Sequence, residues 1–339
     1  MADKADLTQY KGVWVFAEQQ DGKLAKISLE LLGKGRDLAD KLGEKVTCIL
    51  LGDQVKPLAQ DLIAYGADRV LVAEHPELKD YRTELYTKVI CDQARIDKPE
   101  ILIIGASPIG RDLTPRVSFR LHTGCTADCT ELDIDPDEKI LVSTRPAFGG
   151  NVMATILCPE HRPQMSTVRP GVFAVPAKDD SRKGEVVSIP ATFDSADINV
   201  TVVSSSKSKK HGANIQDAVK IVSVGLGASD STSFAAIQEI ARLIGAEVGG
   251  TRPCVEKVLI EHGVQIGQTG KNVRPELYMA CGISGAVQHT TGITNAKYVV
   301  AINKDPNAEI FKFANLGIAG DAKQILTAIV KAIKAVKQE

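Results

Sequence analysis

Aromatic side chains are scarce in this chain: they make up 4% of 339 residues, with a single tryptophan. Any core must then be built from aliphatic side chains, and 44% hydrophobic content over this length is enough for two domains. An excess of charge of either sign is also missing. There are 41 basic and 42 acidic residues, a net of −1, and the densest basic cluster is only Lys207, Lys209 and Lys210 among serines. A phosphate-backbone binder needs a concentrated positive face, so nucleic acid is not expected as a partner. No long apolar run occurs. Val13–Ala17, near a charged N-terminus, is far too short for a signal sequence or a membrane span, and no Arg- and Ser-rich leader precedes it. The expectation is a soluble, cytoplasmic protein without membrane insertion. Cys48, Cys91, Cys125, Cys129, Cys158, Cys254 and Cys281 form no C-x-x-C pair. An odd, scattered set fits neither a disulfide framework nor structural zinc, so reduced thiols packing as small hydrophobes are expected.

What the chain does have is alternation. Short β-branched runs at 13–17, 46–51, 69–72 and 101–105 read as buried strands, with helical patterns between them. The stretch 24–42 places Leu24, Ile27, Leu31, Leu38 and Leu42 on one face, with Gly43 as a stop; 82–94 and 111–121 read as further helices. This order predicts a parallel α/β sheet with right-handed crossovers. From 139 to 189 the pattern changes to short strands (140–144, 152–158, 167–175 and 185–189), expected as antiparallel additions to the same sheet. The Ser- and Lys-rich stretch 194–214 marks the boundary, giving an N-terminal domain over 1–200 and a C-terminal domain over 201–339. The second domain repeats the cycle, with strands at 220–224, 276–280 and 298–302 and helices at 232–244 and 322–336. Ser231 and Thr232 are expected to cap the first of these helices. The fold class is α/β in two domains, the second a doubly wound parallel sheet.

In the second domain each strand runs into small and hydroxyl residues: GLGASDSTS after Val224, CGISGAVQH after Ala280, NKDP after Ile302. Ligands of open α/β sheets sit at the carboxyl ends of strands. Glycines there let backbone come close, and helix N-termini offer N–H groups to a pyrophosphate. The G-x-G of Gly225 and Gly227 lacks a third glycine and a following acidic ribose ligand, which counts against an ordinary NAD site. VQIGQTGK at 264–271 lacks the P-loop spacing. No nucleophile elbow, metal cluster or pair of catalytic carboxylates stands out, which points to a carrier rather than a bond-breaking enzyme.

Taken together, GTRP at 250–253, IGQTGK at 266–271, YMACGISGAVQH at 278–289, VAINKDPNAEIF at 300–311 and LGIAGD at 316–321 closely resemble the α-subunit of electron-transfer flavoproteins. HTGCTADCTELDI at 122–134 and RPAFGGNVMATILCPEHRPQMSTVRPGVF at 145–173 extend the resemblance over essentially the whole chain. It implies one FAD in the second domain, held by Thr251 and Arg252; Ile266, Gly267, Gln268, Thr269 and Gly270; Ser284, Gly285, Ala286, Val287, Gln288 and His289; Asn303; and Asp321 and Ala322. Cations or donors beside a reduced flavin raise its potential, and Arg252 and His289 are the candidates. Thr269 is suited to donate a hydroxyl hydrogen bond to flavin N5, and Ser284 with the following N–H groups to cradle the pyrophosphate. A lone histidine is ordinarily a packed core residue; the setting of His289 within SGAVQH argues instead for function.

Two departures from the family pattern stand out. Thr251 replaces a serine and keeps the hydroxyl. Leu226 stands where relatives carry the arginine of G-G-R-G, so either FAD has lost a contact or Lys207, Lys209 or Lys210 supplies the charge. The partners implied are a smaller β subunit in a heterodimer, NADH reached through that subunit, and an acyl-CoA dehydrogenase. TADCT and RPAFGGN, with Arg145, resemble the electron-bifurcating form, in which the partner holds a second FAD. The alternatives are a non-bifurcating form with AMP there and, from another class, a stand-alone nucleotide-dependent dehydrogenase. The apolar succession Val152, Met153, Ile156, Leu157, Val172 and Phe173 predicts a buried subunit contact.

Overall fold

A computed structural model describes residues 6–147, 152–204, 215–294 and 296–337. The chain divides into two compact units, Met1–Ser205 and Ser206–Glu339. In the first, β1 (Val13–Ala17) leads through a hairpin of β2 (Gln19–Gln20) and β3 (Lys23–Leu24) into α1 (Lys26–Leu42) and β4 (Val46–Gly52). Then come α2 (Ala59–Ala64), β5 (Arg69–Glu74), α3 (Thr83–Asp97), β6 (Ile101–Gly105) and α4 (Pro108–Arg120). The remaining strands are β7 (Cys125–Cys129), β8 (Glu131–Ile134), β9 (Leu141–Ala147), β10 (Val152–Ile156), β11 (Gln164–Val168) and β12 (Glu185–Ser188). Seven strands of this unit form a wholly parallel sheet in the order β12-β5-β4-β1-β6-β11-β7.

Every residue of β1 is buried because both sheet faces are covered. Val13, Val15 and Ala17 pack with Leu31 and Leu38 of α1; Trp14 and Phe16 pack with Val89 and Ile90 of α3 and Leu113 of α4. That two-sided burial is why parallel strands read as unbroken apolar runs. Helix α1 stops at Gly43, whose φ of 70° is a left-handed cap that costs glycine no Cβ clash.

The antiparallel strands lie elsewhere than expected. β8, β9 and β10 make a three-stranded sheet of their own, while β11 and β12 join the main sheet in parallel. The buried polar residues of β11 explain the arrangement. The Gln164 side chain accepts from Leu141 N and donates to Glu100, both at 2.9 Å, and the Ser143 and Ser166 hydroxyls are 2.7 Å apart. These bonds pin the small sheet to the large one.

The second unit contains β13 (Lys220–Val224), α5 (Ser231–Ile244), β14 (Glu247–Gly250), α6 (Arg252–Glu256), β15 (Leu277–Cys281), α7 (Val287–Thr290), β16 (Tyr298–Asn303), β17 (Leu316–Ala319) and α8 (Ala322–Val336). Its five strands are all parallel, in the order β14-β13-β15-β16-β17. Chain direction across the sheet therefore reverses between β13 and β15, the switch point at which doubly wound sheets open a crevice. One face is covered by α5 and α8, where Val222, Val224, Cys281 and Ile302 meet Ile237, Ile240 and Leu326. The other face, with Ile221, Tyr278, Ala280 and Ala301, is covered largely by loops carrying Ile266, Ile283, Ile293 and Ile310. α5 is capped one residue earlier than expected: the Asp230 carboxylate accepts from Thr232 N and Ser233 N at 3.1 and 3.0 Å, and Ser231 and Thr232 fall in the first turn. A carboxylate also complements the positive end of the helix. Lys207, Lys209 and Lys210 lie outside the described residues. Among those described, no helix is long and apolar enough to cross a membrane.

Val258, just past α6, has φ 57° and is 89% exposed. Leu259 N donates to Cys254 O at 3.0 Å across it, so this left-handed residue closes the helix. A β-carbon in that conformation costs about 1–2 kcal/mol, and glycine gives part of it back as entropy in the unfolded chain. Val258→Gly should raise the urea midpoint of the second unit, by about 1 kcal/mol of stability.

Candidate functional site

The carboxyl ends of the five strands of the second unit are tied edge to edge. Thr251 N donates to Val224 O (3.1 Å), Gly225 N to Cys281 O (2.8 Å), Gly282 N to Ile302 O (2.8 Å) and Gly320 N to Asn303 O (2.9 Å). Thr251, Gly225, Gly282, Asn303 and Gly320 thus stand in one row. Gly227 N also donates to Gly282 O at 3.0 Å. A Cβ on Gly225 would lie 2.3 Å from Gly282 O, and one on Gly282 would lie 2.4 Å from Ala228 N. The neighbouring loop at Gly282 thus leaves no room for a side chain at Gly225 and little at Gly227, whose Cβ would lie 3.0 Å from Gly282 Cα. Leu226 between them is exposed.

The stretch 265–271 and the stretch 284–292 are brought together beside this row. Ile266 N donates to Gly250 O at 2.9 Å, and Gln268 N donates to Gln288 O at 2.7 Å. A Cβ on Gly267 would meet Gln288 O at 2.4 Å. The result is a sorted set. Gln268, Thr269, Ser284, Ala286, Val287 and Gln288 are exposed; Thr251, Gly270 and Asn303 are half-buried; Ile266, Gly267, Gly285, His289 and Ala322 are buried.

His289 is engaged through both ring nitrogens. Nδ1 lies 3.1 Å from Ile266 O, which can only accept, so Nδ1 carries the proton. Nε2 then accepts from the Tyr278 hydroxyl at 2.8 Å. Burial pushes the imidazole down to about 4, which keeps it neutral. Where the sequence offers His289 as a cation or donor beside a cofactor, the structure has it tying Ile266 to β15 and so placing the loop that carries Gln268 and Thr269. Arg252 is 66% exposed and pairs with Glu256 at 2.9 Å, one turn further along α6. Such exposed pairs contribute only ~0–1 kcal/mol, so the guanidinium can exchange its partner for an anionic ligand at little cost.

Asn303 braces two loops, its Nδ2 donating to Ile283 O at 2.8 Å and its Oδ1 accepting from Asp305 N at 3.0 Å. Asp321 caps α8 by accepting from Gln324 N at 3.0 Å, with Ala322 as the first helical residue. Exposed hydroxyls, an amide and a guanidinium thus line the carboxyl edge, beside the tightly packed turns at Gly267 and Gly285. This donor-rich, open edge fits a pyrophosphate and the polar rim of a flat ring.

The pattern described as "Electron transfer flavoprotein domain" matches residues 13–194, and "Electron transfer flavoprotein FAD-binding domain" matches 214–294. Over 331 residues the chain is 49% identical to "Electron transfer flavoprotein subunit alpha" of Thermoanaerobacterium thermosaccharolyticum, covering 98% of this chain and 100% of that one. The chain belongs to the electron transfer flavoprotein alpha-subunit family. It is also 50% identical to "Protein FixB" of Clostridium saccharobutylicum over 98% of both chains. Identity is 42% to "Acryloyl-CoA reductase electron transfer subunit beta" of Anaerotignum propionicum, again over 98% of both.

Electron transfer is the role of the family, and FAD is the cofactor of the second unit. When bound, FAD supplies the redox chemistry, and the protein's part is binding, orientation and local electrostatics. Sequence reading missed Gln265, Tyr278 and Gly282. Gln265 gave one signal, standing directly before the I-G-Q-T-G run. Tyr278 opens the Y-M-A-C-G-I-S-G-A-V-Q-H run, but nothing in the sequence marks its bond to His289.

Proposed function

We propose that this chain is the larger subunit of an electron-transferring heterodimer. It takes electrons that enter from NADH through a β subunit, or from an acyl-CoA dehydrogenase, and hands them on through its own FAD. The end-to-end match to a protein named as an electron transfer subunit of acryloyl-CoA reductase carries this reading. The edge strand β10 supports the partner: Val152 and Met153 are 49% and 53% exposed, and Ile156 and Leu157 are exposed as well. Apolar strand edges of this kind are ordinarily covered. In this reading Thr251, Arg252, Gln268, Thr269, the stretch 284–289, Asn303 and Asp321 hold the FAD. The RPAFGGN segment favours the bifurcating form. Co-expression with a β subunit tests all of this. Two FAD per heterodimer support bifurcation; one FAD with AMP rejects it; a stable, FAD-saturated monomer rejects the obligatory partner.

Arg252→Ala should lower the reduction potential of the bound flavin, because negative charge on the reduced ring loses a cation. A charge-assisted contact of ~1.5–3 kcal/mol would move a one-electron couple by up to about a hundred millivolts. Solvent exposure at residue 252 reduces the expectation to tens of millivolts. An unchanged potential in spectroelectrochemistry removes Arg252 from the site.

A further inference from the structure

Gln265 is 3% exposed although it borders an open, polar edge. Its backbone is fixed on both sides: Gln265 N donates to His262 O at 3.1 Å, and Gln265 O accepts from Lys271 N at 2.7 Å. A Cβ on Gly270 would lie 2.4 Å from that same carbonyl oxygen, so the loop closes tightly around this residue. The side-chain amide Nε2 donates to Thr269 Oγ1 at 3.0 Å. Thr269 itself is exposed.

A hydroxyl owns one proton. When a buried N–H already occupies a lone pair of its oxygen, that proton is left for an acceptor on the other side. For Thr269 the other side is the open edge. We propose that Gln265 is a positioning residue that orients the Thr269 hydroxyl, occupying one of its two lone pairs so that its proton is directed toward the flavin, and thereby biases the potential of the flavin. This rests on the reading of the carboxyl edge as the FAD site. An oxidised flavin ring presents lone pairs on N5 and O4, and protonation at N5 turns that acceptor into a donor. A hydroxyl locked as donor therefore favours ring states with N5 unprotonated, and a hydroxyl locked as acceptor favours the opposite.

The polarity can be reversed without changing shape. In Gln265→Glu an ionised carboxylate can only accept, so the Thr269 proton turns inward and the flavin meets an acceptor. A neutral carboxyl can donate as the amide did, and burial raises the pH at which the change occurs. FAD-loaded Gln265→Glu is expected to match wild type in flavin absorbance and potential at low pH. It should depart from wild type as the carboxyl ionises, while FAD per chain stays constant. The departure should vanish in a Thr269→Val background.

Gln265→Met removes the donor and frees the hydroxyl to rotate. It should shift the spectrum and potential in the same direction, by less and without pH dependence, and weaken FAD about three- to tenfold. A flavin spectrum and potential in either variant equal to wild type at every pH would overturn the proposal. So would a pH effect that survives Thr269→Val. Loss of FAD by both variants with circular dichroism unchanged would make Gln265 a structural residue only and equally overturn it. A wild-type chain that binds no FAD would instead refute the site reading itself.

Discussion

Replacing Gly285 by alanine is expected to leave the second unit unable to retain FAD. Gly285 has φ 88°, and a Cβ there would stand 2.1 Å from Ile310 N and 2.5 Å from Ile310 Cα. Both are backbone atoms, so no side-chain rotation relieves the clash. Ile310 N donates to Ser284 O at 3.1 Å and its side chain is fully buried in the loop-covered face, so the turn cannot retreat without opening that core. The left-handed conformation costs an alanine about 1–3 kcal/mol, and displacing packed neighbours costs ~1–3 more. The stretch that moves is the one carrying Ser284, Ala286 and Val287. A loss of ~3 kcal/mol taken from binding is on the order of a hundredfold in Kd. Titrating apo-protein with FAD, alongside urea melts, measures both terms. Gly263→Ala is the control: nothing lies within 4 Å of the added carbon, and it should be silent. Wild-type affinity and midpoint in Gly285→Ala would mean that the loop gives way at no cost.

Acidification from neutrality to about pH 4 should take about 3 kcal/mol from the second unit through His289 alone. The sign follows from burial. The imidazole stands near 6.5 when unfolded and is pushed down to about 4 when folded. Between those values the unfolded chain binds a proton that the folded chain refuses, so folded stability is complete above the upper value and drains away as pH falls toward the lower one. His289→Gln leaves Tyr278 and Ile266 with a polar neighbour but removes the titration. At neutral pH it should cost ~1–3 kcal/mol for disrupted buried hydrogen bonds. Its midpoint should then fall less steeply with acid than that of wild type. Urea midpoints by circular dichroism, compared between the two proteins across this range, isolate the histidine from the carboxylates that titrate in both. Parallel lines would show that the ring is protonated in the fold.

The strands, the division into two units and the glycine loops were legible because burial on both sheet faces and tight backbone approach leave marks in residue type. Pairing direction left no such mark. β11 carries Gln164, Ser166 and Thr167, which look like residues of a half-exposed antiparallel strand, yet all are buried. What hides them is the second sheet bonded across them, a long-range fact that periodicity does not encode. The cap of α5 was misplaced by one residue because Asp230, Ser231 and Thr232 are all good caps and only the backbone turn selects among them. His289 was found by its motif, but its inward direction depends on Tyr278, eleven positions away and on another element. Gln265 and Thr269 are four apart without a helix between them, so no periodic argument joins them.

The scarcity of aromatics has a practical side. The one tryptophan, Trp14, is sealed in the core of the first unit, in its central strand. Indole emission therefore reports on the melting of that unit only, and visible flavin dichroism reports on the other. The chain carries one optical probe per unit without any label. A cofactor-loop variant such as Gly285→Ala should dim the flavin signal while the tryptophan transition stays where it was.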